Sequence, residues 1–203
     1  RKENFDPSAF DIVHTAEHIE MGEHPARAFL QKPDASVVLG FKLLAQGKID
    51  GFASAGNTGA MLVGAIQVIK SIPGVIRPCI SATVPRPRGA PLLLLDVGLN
   101  PDCSQDELNQ YAILGSIYSR QVLNIPNPRV GLLNIGEEEG KGNLLTRATN
   151  QLMKGSPKYE FVGNIEGNDI FADKADIMVC DGFVGNVMLK MAEAFYTMIR
   201  KRK

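Results

Sequence analysis

The sequence has no surplus of charge of either sign. Its 203 residues carry 22 Lys and Arg against 22 Asp and Glu. It therefore lacks the basic excess of a nucleic-acid-binding face, and no nucleic acid is expected as a partner. No apolar run approaches the length of a membrane span, and no charged-then-apolar leader follows Arg1. Cysteine is sparse: Cys79, Cys103 and Cys180 are odd in number and far apart. That suits a reducing cytoplasm better than a disulfide scaffold, and it offers no zinc pattern. His14 and His18 are four apart and could share a helix face. No further ligands stand at a sensible spacing, so no metal is expected. There is no GxGxxG followed by an acidic residue about 20 positions on, which weakens a nicotinamide-dependent dehydrogenase. No Ser-His-Asp set is evident. Cys103 opens a helix, where a thiol can be activated, but no histidine lies near it in sequence. Internal repeats, low-complexity tracts and flexible linkers are missing too. The length suits a single α/β domain over residues 1–203, or one domain and a small lobe.

What is present is an alternation of apolar strands and amphipathic helices. After a poorly patterned start, Gly22-Glu23-His24-Pro25 marks a turn and Ala26–Leu30 a short helix. Asp34 is a fair N-cap for a helix over Ala35–Gln46, and Ile49–Ala53 reads as a strand. A helix through Met61, Leu62, Ala65, Ile66 and Ile69 follows. Strands are expected at Cys79–Val84, Leu92–Leu95, Val130–Ile135, Tyr159–Val162 and Asp176–Cys180. Four consecutive leucines fit a strand covered on both faces. Ser104-Gln105-Asp106-Glu107 is a capping box, and the helix behind it, Asp106–Val122, is apolar on several sides. Such a helix is deeply buried or shared with a second subunit, which hints at a dimer. Further helices are expected at Leu144–Met153 and through Val187, Met191, Ala194, Phe195 and Met198. The whole reads as α/β with a mostly parallel sheet and one antiparallel pair between Ile80 and Leu95, where no helix intervenes.

Three strand-to-helix turns are rich in glycine. Ser54-Ala55-Gly56-Asn57-Thr58-Gly59 precedes the Met61 helix, with Asn57 or Thr58 as its cap. Gly136-Glu137-Glu138-Glu139-Gly140-Lys141-Gly142-Asn143 follows the Val130 strand. Asp181-Gly182-Phe183-Val184-Gly185-Asn186 follows Cys180. Ligands of open α/β sheets bind beyond the carboxyl ends of strands, and helix N-termini with small neighbours suit anions. The competing explanation is that Gly and Ala here only allow helix and sheet to pack closely. Lys141 supplies a point charge suited to a phosphate oxygen. Glu137–Glu139 fit loop hydrogen bonding, or an ion pair that positions Lys141, better than direct catalysis. Asp96 reads as a structural acid, and Arg86 and Arg88 as solvated.

In chain order, SAGNTGA (Ser54–Ala60), LLDVG (Leu94–Gly98), NPRVGLLNIGEEEGKGN (Asn127–Asn143), GNIEG (Gly163–Gly167) and CDGFVGN (Cys180–Asn186) resemble one family. It is the bacterial phosphate acyltransferase of phospholipid synthesis, the acyl-acyl-carrier-protein:phosphate acyltransferase. The resemblance runs through nearly the whole chain. It implies a three-layer α/β/α Rossmann-like fold, distantly similar to phosphate acetyltransferases. It implies transfer of a long-chain acyl group from acyl-acyl carrier protein to inorganic phosphate, the acyl phosphate then feeding a membrane glycerol-3-phosphate acyltransferase. It also implies a homodimer, cytoplasmic or peripherally membrane-associated, and no cofactor is expected. The family's N-terminal strand and C-terminal segment find no counterpart in residues 1–203, so the site is expected to lack parts. Within it, Lys141 would hold phosphate or the developing charge, and Asn186 would donate to the thioester oxygen or to phosphate. Ser54, Gly56, Asn57, Thr58 and Gly59, with Gly140, Gly142 and Asn143, and with Asp181, Gly182 and Gly185, would form the substrate cradle. Two alternatives stay open: a phosphate acetyltransferase using acyl-coenzyme A, and a non-catalytic subunit that binds the carrier protein.

Overall fold

Two stretches of the chain bury separate cores. The structure, a computed structural model, describes residues 6–201 and divides into Arg1–Pro73 and Gly74–Lys203. Of the basic C-terminal run, Arg202 and Lys203 lie outside the described residues.

Among the described residues the first unit is helical: α1 (Pro25–Gln31), α2 (Ser36–Ala45) and α3 (Thr58–Gly64), the last continued by a wider turn over Ala65–Ile69. Pro25 opens α1 where its missing N–H is not needed. Ala35 rather than Asp34 occupies the N-cap of α2, which has no side-chain cap. Ile19, Phe29, Val37, Val38 and Phe41 form the core. Gly64 admits the Phe41 ring; a Cβ there would stand 2.2 Å from it. The strand expected at Ile49–Ala53 does not form. Phe52 instead turns its ring edge-on to Phe41, centroids 5.2 Å apart. No strand of this unit is present among the described residues to share a ladder with it. The His14–His18 stretch is not helical, and His18 pairs with Glu20 at 2.7 Å.

The second unit is built on a five-stranded sheet of β1 (Ser81–Val84), β2 (Leu92–Leu95), β3 (Arg129–Leu133), β4 (Glu160–Ile165) and β5 (Ile177–Val179), ordered β1-β2-β5-β3-β4. Only β1 runs antiparallel, beside β2, as its short helix-free connection requires. Alternate residues of the strands face opposite layers. Leu93, Leu95, Val130, Leu132, Ile177 and Val179 meet α4 (Gln105–Gln121) and α5 (Leu144–Lys154) on one side. Leu92, Leu94, Leu133 and Met178 meet Ile170, Met188 and Leu189 on the other, where a short 3-10 turn (Gly167–Phe171) precedes β5 and α6 (Gly182–Lys201) follows it. This is the three-layer α/β/α arrangement. Gly131 keeps β3 and β4 close: a Cβ there would lie 2.4 Å from Ile165. Their register slips at Val162, which has no partner opposite.

Caps fix the helix starts. Ser104 and Glu107 form the expected box on α4, and Asn143 Oδ1 accepts the Thr146 N–H of α5 at 2.8 Å. At the amino ends of the strands Arg86 is not solvated. Its side chain is 4% exposed and faces Asp173 and Asp176, each 3.6 Å away. Arg129 donates to Asp176 from the same side.

Candidate active site

Because β3 and β5 are parallel neighbours, the loops that leave them emerge side by side. One carries Lys141 and the other Asp181. An open-sided cavity of roughly 430 Å³ lies there, lined by Asn134, Gly142, Asn143 and Thr146 from the first loop and by Cys180, Asp181 and Val184 from the second. Gly167, beyond β4, Leu108 of α4 and Met188 of α6 also line it. The N-terminus of α5 opens onto this space, so its partial positive charge is available to an anion.

The lysine loop is held from beneath. Asn134, at the tip of β3, donates to the Lys141 carbonyl at 3.1 Å, and Asn164 of β4 donates to the Glu138 carbonyl at 2.9 Å. That carbonyl also accepts the Lys141 N–H at 3.0 Å. Gly142 takes φ +93, and a Cβ on it would stand 2.1 Å from Thr146 Oγ1, so the turn requires glycine. A Cβ on Gly140 would meet nothing within 4 Å, so the loop's outer edge is open there. The ion pair expected between the glutamates and Lys141 is absent. Glu137 pairs with Lys174 and Glu139 with Lys154, and Lys174 also reaches Asp169 at 2.9 Å. Lys141 is exposed and has no carboxylate partner among the described residues.

The second loop differs from its expected role. Gly182 donates to the Asn100 carbonyl at 2.8 Å and Gly185 to the Asp181 carbonyl at 3.0 Å. The Asp181 carboxylate takes the Val184 N–H at 2.8 Å. An acid already caps α6, so most of these amide groups have partners within the protein. The glycines serve close approach instead. A Cβ on Gly185 would lie 1.9 Å from the Asp96 carbonyl oxygen, and one on Gly182 would lie 2.8 Å from Asn100 N. Asn186, like Lys141, does not line the cavity. Its amide donates to the Val97 carbonyl at 3.2 Å, against Gly98, whose φ is +129. Asp96 is fully buried and structural, accepting from Asn100 N at 2.7 Å and from Ile80 N at 3.1 Å.

The SAGNTG turn belongs to the first unit. Asn57 caps α3 by accepting from Ala60 N at 3.0 Å, and donates to the carbonyls of Glu20 and Glu23 at 3.0 and 3.2 Å. Its side chain is therefore engaged within the fold. Gly56 donates to Ser54 Oγ at 3.1 Å, and Gly59 leaves room for the Pro25 ring, which a Cβ would meet at 2.4 Å. Thr58 is exposed at the first position of the helix. Close packing, the competing explanation, accounts for Gly59.

None of the thiols is activated. Burial is the main cause in each case: it pushes Cys79 up to about 12 and raises Cys103 and Cys180. Among the described residues no group of His, Cys, Asp and Glu is arranged to hold a metal ion. The residues that the sequence undervalued are asparagines. Asn134 breaks an apolar strand, and Asn164 lies inside GNIEG; a polar side chain near the end of a buried strand is the available signal.

A model of a family described as fatty acid synthesis protein matches residues 2–201. The chain is 47% identical over 190 residues to a phosphate acyltransferase of Dictyoglomus turgidum, covering 94% of this chain and 56% of that protein. It is 48% identical over 191 residues to one from Acidobacterium capsulatum, with the same two coverages. The chain thus spans about half the length of the curated relatives it matches. Among solved structures it is similar to a phosphotransacetylase from Streptococcus pyogenes, with TM-score 0.63, 20% identity, and coverage of 83% of this chain and 57% of that one. It is also similar to the EutD phosphotransacetylase of Staphylococcus aureus, with TM-score 0.60, 16% identity, and coverage of 85% and 63%. At these identities the structures share the fold.

Proposed function

Since the chain belongs to the fatty acid synthesis protein family, we propose that it moves a long-chain acyl group from acyl-acyl carrier protein to inorganic phosphate. A phosphate oxygen attacks the thioester carbonyl. The tetrahedral oxyanion collapses, the C–S bond breaks, and the carrier leaves as a thiolate that takes a proton. Phosphate is already a nucleophile, so the protein's task is positioning and charge stabilisation. The observation that carries this proposal is the cavity between the loops of two adjacent parallel strands, one of which carries Lys141.

Phosphate would sit on the α5 side, near Gly142 and Asn143, because the Asp181 carboxylate repels it from the other. Lys141 would bind it or take up the developing charge. Asn186 would act at one remove, by holding the Val97–Gly98 turn. An apolar groove of roughly 590 Å³ shares Gly167 and Met188 with the cavity and continues along Ile170, Met191, Phe195 and Ile199. Such a groove suits an alkyl chain. A homodimer, a peripheral place at the membrane and supply of acyl phosphate to a glycerol-3-phosphate acyltransferase belong to the same proposal.

The fold shared with phosphotransacetylases favours one second possibility, a short acyl-coenzyme A donor. Incubation with phosphate and either palmitoyl-acyl carrier protein or acetyl-coenzyme A, trapping acyl phosphate with hydroxylamine, separates them. Hydroxamate from the carrier-protein donor is the expected result. Hydroxamate from acetyl-coenzyme A alone would select the second reading. Carrier-protein binding with no hydroxamate from either donor would leave a non-catalytic subunit.

A further inference from the structure

Resting on the proposal that Lys141 meets phosphate, we infer that Asn164 is a positioning residue for the lysine loop. Asn164 is 5% exposed, inside a strand whose other buried side chain, Ile165, packs the core. Burying an amide there is unfavourable unless both its ends are hydrogen-bonded. Its Nδ2 donates to the Glu138 carbonyl at 2.9 Å, and its Oδ1 accepts from Asn150 Nδ2 at 2.9 Å. A carbonyl only accepts, so Asn164 must present nitrogen to Glu138 and oxygen to Asn150. Asn150 is thereby turned too, and its own buried Oδ1 is left without a partner among the described residues.

The chain ends on the one carbonyl that closes the turn into Lys141, since the Glu138 oxygen also accepts the Lys141 N–H at 3.0 Å. Asn164 does not line the cavity. Its influence on a substrate runs through the loop alone.

Asn164→Asp keeps the shape and still accepts from Asn150, but sets an acceptor against the Glu138 carbonyl. In the full chain, the KM for phosphate should rise roughly tenfold, the worth of one such bond, with the KM for the acyl donor unchanged. In a Lys141→Ala background the same change should add nothing further, because a group that acts through Lys141 has nothing left to act on. Should Asn164→Asp fail to fold, Asn164→Ser withdraws the amide without adding charge, and the same pair of measurements applies. An unchanged phosphate KM, or a loss additive with that of Lys141→Ala, overturns the positioning role. Full turnover by Lys141→Ala alone overturns instead the reading of Lys141 on which it rests.

Discussion

Lys141 differs from Lys154 and Lys174 because two of the three loop glutamates pair with those lysines and not with it. Glu137 is held by Lys174 and Glu139 by Lys154, so two of the loop's three negative charges are offset without engaging Lys141. Lys141→Ala should lower kcat/KM for phosphate roughly 100- to 1000-fold, the usual cost of one donor to charge held in the transition state. Circular dichroism should be unchanged; an active variant would exclude the role. The cysteines stand at the opposite pole. Cys103 has a thiol raised by burial and lies 3.4 Å from the Asn100 carbonyl. With so little thiolate at neutral pH it is no nucleophile. Cys103→Ala should keep wild-type turnover, and Cys79 should resist iodoacetamide at pH 8 in the folded protein. Rapid loss of activity on alkylation would contradict this.

Among the elements, α6 shows how small residues set geometry. Gly182 and Gly185 let its first turn lie directly on the Asp96–Asn100 segment that follows β2. Gly185→Ala forces a methyl group into the Asp96 carbonyl, and backbone cannot yield as a flexible side chain can. It should destabilise the fold by about 1–3 kcal/mol. A denaturant midpoint equal to wild type would show that α6 shifts freely. The helical spacing of Val187, Met191, Phe195 and Met198 marks α6 in the sequence, yet all four are more than 40% exposed. In α4, Ile117 and Tyr118 are likewise uncovered while Tyr111 and Ala112 are fully buried. Periodicity identifies a face that wants cover. It does not say whether the same chain supplies it.

At the scale of the molecule, an ionic cluster ties the amino ends of β3 and β5 to the β1–β2 connection, through Arg86, Arg129 and Asp176. Burial raises the Asp176 carboxyl, but hydrogen bonds from the Arg129 side chain and backbone outweigh it, and the net shift is downward from the ordinary 3.8. A lowered folded value means the unfolded chain takes up the proton first. The contribution of Asp176 to stability is therefore complete above its unfolded value, and is lost as pH falls through 3.8 and on through the lower folded value. Asp176→Asn should flatten the acid limb of stability below about pH 4. An acid limb identical to wild type would remove Asp176 as its source. Among the described residues no helix is long and apolar enough to cross a membrane.

Local physics made much of this legible in advance. The leucine run of β2 fits a strand covered on both faces, Ser104 with Glu107 marks a helix cap, and two of the three glycine turns marked strand tips. Apolar period and capping chemistry are properties of adjacent residues, so a sequence carries them whole. Ile49–Ala53 failed for the converse reason: a strand exists only if another strand lies beside it, and within its unit Phe52 found an aromatic neighbour instead. The same holds at the site. That β5 inserts beside β3, bringing the Asp181 loop to the Lys141 loop, is a pairing of distant segments. So is the choice of Asn164, rather than a glutamate, as the group that grips the lysine turn. Hydrogen bonds between residues far apart in sequence leave no periodic trace along the chain, and only the folded sheet decides them.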